Sequence, residues 1–281
     1  MTVDFAERPE VVHSEAQRLL RFGRYAEAWP LYEARRAIPG VSVWNPITEA
    51  PEWRGEDVSG KRVVVCAEQG WGDQIMFGRF LAPLQALGAE IVVVCHPKVA
   101  RLFEHLGYWT KPYFSDRPIP PTDYWVHIGT LPHRLGDISP PDPVYLKFEL
   151  TGGGGIGVIT SGNPQAKNNI ARSLPPPEAA DLLKIGRDLR PEATGVYDFF
   201  QTAEIIAGLD LVISVCTSVA HLAASMGVET WVLLARPAEW RWGEGERSDW
   251  YPDARLFRQP VEGDWVSVIQ AVQAEASTKT M

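Results

Sequence analysis

Cysteine is scarce in this chain of 281 residues, and its three cysteines show no spacing that suggests a bridge or a metal site. Cys66, Cys95 and Cys216 lie far apart without a Cys-x-x-Cys pair. Two of the three sit within apolar runs, where a thiol acts as a small hydrophobic group. We therefore expect neither disulfides nor a zinc site, and the absence of a ligand cluster predicts chemistry without a bound metal or cofactor.

Long apolar runs and a positive net charge are also missing. No run approaches the ~18 residues needed to cross a bilayer, so we expect no transmembrane segment. Residues 1–9 carry acids where a signal peptide would be basic and then apolar, which predicts a cytoplasmic protein. Lys and Arg number 27 against 35 Asp and Glu, a net charge of -8 that disfavours nucleic-acid binding. The oligomeric state is left open.

The composition is that of a folded protein, with 45% hydrophobic and 22% charged residues. Single hydrophobic cores stop growing near ~250 to 300 residues, so this length favours two domains. The 24 glycines and 23 prolines cluster in loops rather than at a fixed period, which indicates long functional connections.

Residues 1–60 form the first predicted segment, a helical hairpin followed by an irregular strap. The apolar pattern predicts short helices over 14–20 and 25–37, and the hairpin resembles one tetratricopeptide unit. One such unit cannot bury its own apolar face, so the hairpin must dock on another part of the chain.

The rest of the chain alternates strands with helices in two blocks, residues 61–150 and 151–281. Buried-strand patterns cover 62–67, 90–95 and 124–128, and then 156–160, 211–215 and 230–234. Helices are expected at 73–87, 98–106, 178–185, 202–207, 217–226 and 264–274, and glycine-rich 151–155 is expected to be the joint. This predicts an α/β protein of two facing Rossmann-like lobes, with a ligand at the carboxyl ends of the strands.

The first candidate site is the turn after the first strand, formed by Glu68, Gln69, Gly70, Trp71, Gly72 and Asp73. Glycines there allow a substrate to approach the backbone, and Asp73 places a carboxylate where it can take a proton from a hydroxyl. The alternative is that Asp73 only caps the helix that follows. The turn is not a dinucleotide fingerprint, because the third glycine is absent.

Two candidate sites lie in the second block. The loop of Thr160, Ser161, Gly162 and Asn163, with Lys167 and Arg172, suits a phosphate group, although it can equally be an ordinary polar loop. The second site is a helix start directly after an apolar strand, formed by Cys216, Thr217, Ser218 and His221. The N-terminus of a helix suits a pyrophosphate. The alternatives are a capping residue, a core histidine and a packing cysteine.

The last candidate is an aromatic segment, which either stacks a ligand or covers a core; it contains Trp240, Arg241 and Trp242, with Trp250 and Tyr251.

Taken together, these pieces resemble the bacterial glycosyltransferases that follow tetratricopeptide repeats and are related to the heptosyltransferases. The resemblance runs from residue 15 to about residue 270. The segments that carry it are Glu68-Gln69-Gly70-Trp71-Gly72-Asp73, Ser161-Gly162-Asn163-Pro164, Arg172-Ser173, Asp210-Leu211-Val212-Ile213-Ser214-Val215, Ala220-His221-Leu222-Ala223, Trp240-Arg241-Trp242, Trp250-Tyr251-Pro252 and Leu256-Phe257-Arg258-Gln259.

The resemblance implies a glycosyltransferase B-type fold that moves a sugar from a nucleotide donor without a metal. It implies that Asp73 is the general base and that residues 160–163 and 217–221 hold the donor phosphates. The implied partners are a nucleotide sugar and an acceptor, either a glycan or a protein such as flagellin.

The chain departs from the family pattern at four positions. Asn169, Gln201 and Cys216 stand where the family usually has an acid, and Thr160 where it has a tryptophan. Such losses beside a diphosphate site change either the choice of donor or the activity. The alternatives are therefore an enzyme with an altered donor, such as an acidic sugar, or a degenerate module that binds a nucleotide sugar or a protein. A nucleotide-sugar epimerase of the same shape matches the motifs less well.

Overall fold

The computed structural model describes residues 8–41, 43, 48–165 and 169–279. The chain divides into two units, Met1–Pro143 (unit 1) and Val144–Met281 (unit 2). The glycine-rich segment 151–155 lies inside unit 2. Its backbone is tied to the start of a strand, because the carboxylate of Asp210 accepts the amide N–H groups of Gly153 and Gly155 at 2.6 and 2.9 Å.

Unit 1 is built on a four-stranded parallel sheet with the order β3-β2-β1-β4. Its strands are β1 (Arg62–Cys66), β2 (Glu90–Cys95), β3 (Trp109–Pro112) and β4 (Tyr124–His127). After its first residue β1 is buried throughout, as is β2, which is why both appear as continuous apolar runs in the sequence.

The helices of unit 1 are broken more often than the sequence predicts. The expected helix over 73–87 is interrupted by a 3₁₀ turn at Gly78–Phe80, since Pro83 has no N–H to donate to the carbonyl of Arg79. The expected helix over 25–37 ends at Tyr32 and continues as a 3₁₀ turn, Glu33–Ala37. The helices are α1 (Pro9–Arg21), α2 (Tyr25–Tyr32), α3 (Trp71–Phe77), α4 (Leu81–Ala86), α5 (Pro97–His105) and α6 (Leu131–Arg134).

The hairpin formed by α1 and α2 packs within unit 1. Trp29 and Tyr32 are fully buried, and the ring of Trp29 meets the rings of Phe77 and Phe80 edge-on at 6.2 and 6.5 Å. The indole N–H of Trp29 donates to the carbonyl of Ile138. The apolar face of the hairpin is therefore covered by α3 and the turn after it.

Unit 2 contains a five-stranded parallel sheet with the order β6-β5-β7-β8-β9. Its strands are β5 (Ile156–Ile159), β6 (Arg187–Asp188), β7 (Leu211–Val215), β8 (Thr230–Leu234) and β9 (Arg255–Arg258). The edge strands β6 and β9, like β3 in unit 1, are short and partly polar, so the sequence has no apolar run that would predict them. Unit 2 has the helices α7 (Asn169–Arg172), α8 (Pro176–Leu182), α9 (Pro191–Thr194), α10 (Phe199–Ala207), α11 (Ser218–Met226) and α12 (Trp265–Lys279).

Within the described ranges, no helix combines the length and the apolar character required to cross a membrane.

Candidate functional site

The turn after β1 places Asp73 in the first turn of α3, where its carboxylate accepts the amide N–H of Gly70 at 3.1 Å. This is the hydrogen bond of a helix-capping carboxylate, and it also fixes the side chain over the turn. A Cβ at position 70 would lie 3.1 Å from the same oxygen, so a glycine leaves the carboxylate room. Capping and a role as general base are compatible in this geometry, and the base role stays a prediction.

Aromatic rings extend from this turn across the carboxyl ends of β2 and β3. Trp71 lies 5.3 Å from the ring of His96, which meets Tyr113 edge-on at 6.4 Å. Phe114 follows with its side chain fully exposed and a left-handed backbone, φ 61°. The pKa of His96 is lowered by burial and by nearby Lys98, which favours the neutral imidazole. These rings, together with half-buried Gly72, form a surface beside Asp73.

The turn after β1 also contains a buried charged cluster that the sequence argument did not single out. The side chains of Glu68 and Arg35 are completely buried, with Arg35 Nη2 2.8 Å from Glu68 Oε1. Arg35 is also paired with Glu33 at 2.7 Å, and Thr130 bonds both Arg35 and Glu33. The signal in the sequence was a glutamate directly after an apolar strand, together with an arginine in the hairpin.

The two acids of this cluster differ in proton affinity. Burial raises the pKa of Glu33, but the charge of Arg35 and hydrogen bonds from Arg35 and Thr130 outweigh it and lower that pKa to about 2. Burial raises the pKa of Glu68 further than Arg35 lowers it, and the charges of Glu33 and Asp73 add to the rise. One guanidinium thus faces the buried carboxylate of Glu68 and the partly exposed one of Glu33, of which Glu33 holds its charge more firmly.

In unit 2 the two predicted phosphate loops come together. Strands β5 and β7 are adjacent and parallel, with Ile159 opposite Ser214, so the segments that follow them emerge at the same edge of the sheet. The first segment contains residues 160–163 and the second contains residues 216–218. The structure therefore unites two candidate sites that are 56 residues apart in sequence.

Arg172 and Gly162 are in close contact within this group. A Cβ at Gly162 would lie 2.9 Å from Arg172 Nε and 2.7 Å from Asn169 Oδ1, so the glycine lets both side chains lie against its backbone. The amide N–H of Gly162 donates to Ser173 Oγ at 3.3 Å. The Nε of Arg172 is buried and has no hydrogen-bond acceptor among the residues that the structure describes.

The remaining predicted residues of the first loop differ in burial and in hydrogen bonding. Thr160 is buried, and its carbonyl accepts the amide N–H of Leu174. Ser161 is half-buried, while exposed Asn163 accepts the amide N–H of Gln165 at 3.0 Å. Lys167 lies outside the described residues.

The start of α11 offers backbone donors to the same edge of unit 2. Thr217 precedes the helix, and its hydroxyl lies 3.0 Å from that of Ser214. The amides of Ser218 and Val219, the first two helical residues, have no carbonyl partner within α11, as at every helix start. Together with the helix dipole they favour an anion.

Cys216 and His221 are turned into the core of unit 2. Cys216 Sγ accepts the indole N–H of Trp242 at 3.1 Å. Burial raises the pKa of its thiol, assisted by Glu239 and opposed by Arg241, the Trp242 hydrogen bond and Arg172. The thiol thus has the packing environment that the sequence left open, and its contact with a donor stays a prediction.

The imidazole of His221 has the arrangement of a core histidine. Its Nδ1 lies 3.0 Å from the hydroxyl of Tyr251, and its ring stacks on Trp242 at 5.1 Å. Trp240 and Trp250 are buried as well. The aromatic segment therefore covers a core, while Arg241 is held near Glu239 at 3.2 Å.

Two of the neutral replacements have local roles in this structure. Asn169 Oδ1 accepts the hydroxyl of Ser173 at 3.1 Å. Gln201 Oε1 accepts the amide N–H of Tyr197 at 2.7 Å, while Asp198 accepts the amide N–H of Gln201. The start of α10 is thus capped by Asp198, and the neutral amide of Gln201 bonds the backbone just before this cap.

In the described part of the chain, no group of three or more His, Cys, Asp or Glu side chains is arranged to hold a metal ion. Metal independence stays a prediction.

Comparisons with known proteins were made at the level of sequence and of fold. No family model matches the sequence. The FlbA protein of Caulobacter vibrioides is 26% identical in an alignment 320 positions long, which covers 90% of this chain and 52% of FlbA. The chain thus spans about half the length of this curated relative.

Two solved structures carry the argument for the fold. The iron-containing dodecameric glycosyltransferase TibC from enterotoxigenic E. coli H10407 has a TM-score of 0.54 at 10% identity, covering 80% of this chain and 78% of TibC. The E. coli ADP-heptose LPS heptosyltransferase II has a TM-score of 0.50 at 11% identity, covering 78% and 100%. At this identity the likeness establishes the fold: the chain has the α/β architecture, with two parallel sheets, of the B-type heptosyltransferases.

Proposed function

We propose that the protein is a glycosyltransferase that moves a sugar from a nucleotide-activated donor to a glycan or protein acceptor, such as flagellin. The observation that carries this proposal is the convergence, at one edge of the unit 2 sheet, of the 160–163 loop, Arg172 and the first amides of α11. TibC, which shares the fold, has been solved with ADP-D-β-D-heptose. The chemistry assembled at this edge suits the diphosphate of such a donor.

On the donor side, the guanidinium of Arg172 supplies charged hydrogen bonds to a phosphate oxygen, and the amides of Ser218 and Val219 supply neutral ones. Because Gly162 has no side chain, a phosphate can approach Arg172 across the backbone at this position. Arg241 adds positive charge near Cys216, in the same neighbourhood as Arg172. These groups neutralise the charge that grows on the diphosphate as the sugar leaves.

On the acceptor side, Asp73 is the proposed general base in unit 1. It takes the proton from the acceptor hydroxyl as this attacks the anomeric carbon, and the nucleoside diphosphate leaves. Gln69, Gly70, Trp71 and Gly72 line the acceptor position. The donor serves as a substrate, and we propose that neither a metal nor a resident cofactor takes part.

A second candidate is a non-catalytic module that binds a nucleotide sugar or a protein. It is favoured by the loss of three acids at Asn169, Gln201 and Cys216. The local roles of Asn169 and Gln201 weaken this argument, because each side chain makes a hydrogen bond within the fold.

The test is a panel of ADP-, GDP-, UDP- and CMP-sugars, assayed by thermal shift and by release of the nucleotide, with and without EDTA. The transferase predicts a thermal shift with at least one donor class and acceptor-dependent release that survives EDTA. Binding without release in the presence of glycan and protein acceptors would favour the module. The absence of a shift with every nucleotide would remove the donor site.

A further inference from the structure

Arg35, in the 3₁₀ turn that ends the N-terminal hairpin, contacts the turn that contains Asp73. Its Nε donates to Glu68 Oε1 at 2.8 Å, and its Nη2 donates to Thr130 Oγ1 at 2.9 Å. Its Nη1 donates to Glu33 at 2.7 Å. The guanidinium therefore joins the hairpin to the ends of two strands, β1 through Glu68 and β4 through Thr130.

The ion pair packs closely against the backbone of Gly129. A Cβ at Gly129 would lie 2.2 Å from Glu68 Oε1 and 3.2 Å from Arg35 Nη2. Glu68 Oε2 is buried and has no hydrogen-bond partner among the described residues. An incompletely paired carboxylate that is enclosed so tightly is costly to bury, and it stays in place because Arg35 holds its other oxygen.

The hairpin also holds the turn on both sides of Asp73. Before Asp73, Gln69 adopts a left-handed backbone, φ 59°, and its amide donates to the hydroxyl of Tyr32 at 3.1 Å. After it, Phe77 packs against both Trp29 and Tyr32 with ring centroids 6.2 Å apart. The residue proposed as the base thus lies between two segments that the hairpin fixes.

We propose that the hairpin is a built-in support for the Asp73 turn, and that Arg35 and Glu68 are positioning residues of the transferase. This proposal rests on the proposed function, since it assigns the hairpin to the same site. It differs from a partner-binding role for the repeat-like unit, because the hairpin directs Trp29, Tyr32 and Arg35 at its own unit. A buried ion pair adds little net stability compared with apolar packing, but it defines one geometry and is costly to break.

The first test measures the turn without using turnover. Amide hydrogen exchange is followed in peptides covering residues 67–78, in the full chain, with the β2 peptide 90–95 as the reference for global opening. Arg35→Met should speed exchange at 67–78 at least tenfold relative to 90–95. The matched control is Arg36→Met, because Arg36 is in the same 3₁₀ turn but pairs most closely with Glu52, at 2.7 Å, and reaches the cluster only through Glu33 at 3.4 Å. The control should change exchange at 67–78 by less than twofold.

The second test uses the transferase reaction. Arg35→Met should lower kcat at least tenfold, leave the KM for the donor within twofold, and be partly rescued in Arg35→Lys. If Arg35→Met does not fold, Glu68→Gln keeps the shape of the side chain and should still speed exchange at 67–78 at least threefold.

Unchanged exchange at 67–78 in both Arg35→Met and Glu68→Gln would overturn the proposal, and so would an equal loss of kcat in Arg36→Met. Faster exchange in a chain whose wild type turns over no nucleotide sugar would instead refute the transferase and leave the support of the turn established.

Discussion

Removing the guanidinium of Arg172 should weaken nucleotide binding without weakening the fold. Arg172→Met keeps a stem of similar length and deletes the charged group. In the described part of unit 2 the Nε of Arg172 has no acceptor, and its guanidinium packs against Gly162. Stability should therefore stay within about 0.5 kcal/mol of the wild type, as for other changes that break no buried interaction.

The expected loss of affinity follows from the type of bond that is removed. A hydrogen bond to a charged group contributes about 1.5 to 3 kcal/mol. At 25 °C, about 1.4 kcal/mol corresponds to a factor of ten, so the Kd of a nucleoside diphosphate should rise about 10- to 150-fold. Because the contact is electrostatic, the dependence of Kd on salt should also become shallower in Arg172→Met.

The assay is isothermal titration calorimetry with ADP, GDP and UDP, accompanied by thermal unfolding of each variant. The matched control is Arg190→Met in the same unit, because the guanidinium of Arg190 is already paired with Asp188 at 2.6 Å. The control should bind nucleotide within twofold of the wild type. A Kd for Arg172→Met that also stays within twofold would place the diphosphate away from this loop and refute the donor site.

Four further results are expected. Asp73→Asn should abolish transfer but keep the fold and the donor affinity, because an amide oxygen still accepts the Gly70 N–H; unchanged turnover would leave Asp73 as a cap only. Cys216→Asp should shift donor preference from acidic towards neutral sugar nucleotides in calorimetry and turnover, since it adds a negative charge; identical donor profiles would mean that the thiol only packs. Gly129→Ala should lower the free energy of unfolding by about 1 to 3 kcal/mol in urea titrations, because its Cβ would collide with a buried carboxylate; a loss below about 0.5 kcal/mol would contradict this packing. Burial, with a nearby arginine, lowers the pKa of His13 from 6.5 to about 4, so the unfolded chain binds the proton first and stability falls as the pH drops through this range; His13→Phe should have a shallower fall in Tm between pH 6.5 and 4, and an equal fall would contradict a buried neutral imidazole.

The central strands were predictable because they are buried on both faces. Strands β1, β2, β7 and β8 lie inside their sheets and require continuous apolar runs, which the sequence displays within one residue of the observed bounds. The edge strands β3, β6 and β9 were missed. A short strand at the edge of a sheet has only one neighbouring strand, so it does not require a continuous apolar run.

Helix boundaries were predicted less well, because local hydrogen bonding rather than periodicity ended them. The break at Gly78–Phe80 follows from Pro83, which lies within an otherwise continuous helical pattern. The glycine-rich segment 151–155 was predicted to be a joint, whereas in the structure the carboxylate of Asp210 holds it. That contact links positions more than fifty residues apart, and composition does not reveal it.

The candidate sites, like the strands and helices, have features that the sequence predicts and features that it does not. The sequence by itself determined which residue types follow the strands, and parallel pairing implies that such residues meet at the carboxyl edge of a sheet. Only the tertiary structure decided which side chains face that edge: Arg172 packs on Gly162, whereas Cys216 and His221 turn inward against Trp242. The physical reason is that burial is a property of the packed chain, so a residue's neighbours in space set its role.

The cluster of Arg35 and Glu68 shows this most clearly. Each residue is an ordinary charged residue in its own segment, and neither segment alone can bury it without a large cost. Packing of the hairpin on unit 1 brings the two charges within 2.8 Å and excludes water from both. The sequence determined the strands and the chemistry at their ends, and the packing of the hairpin against them decided how the turn that contains Asp73 is held.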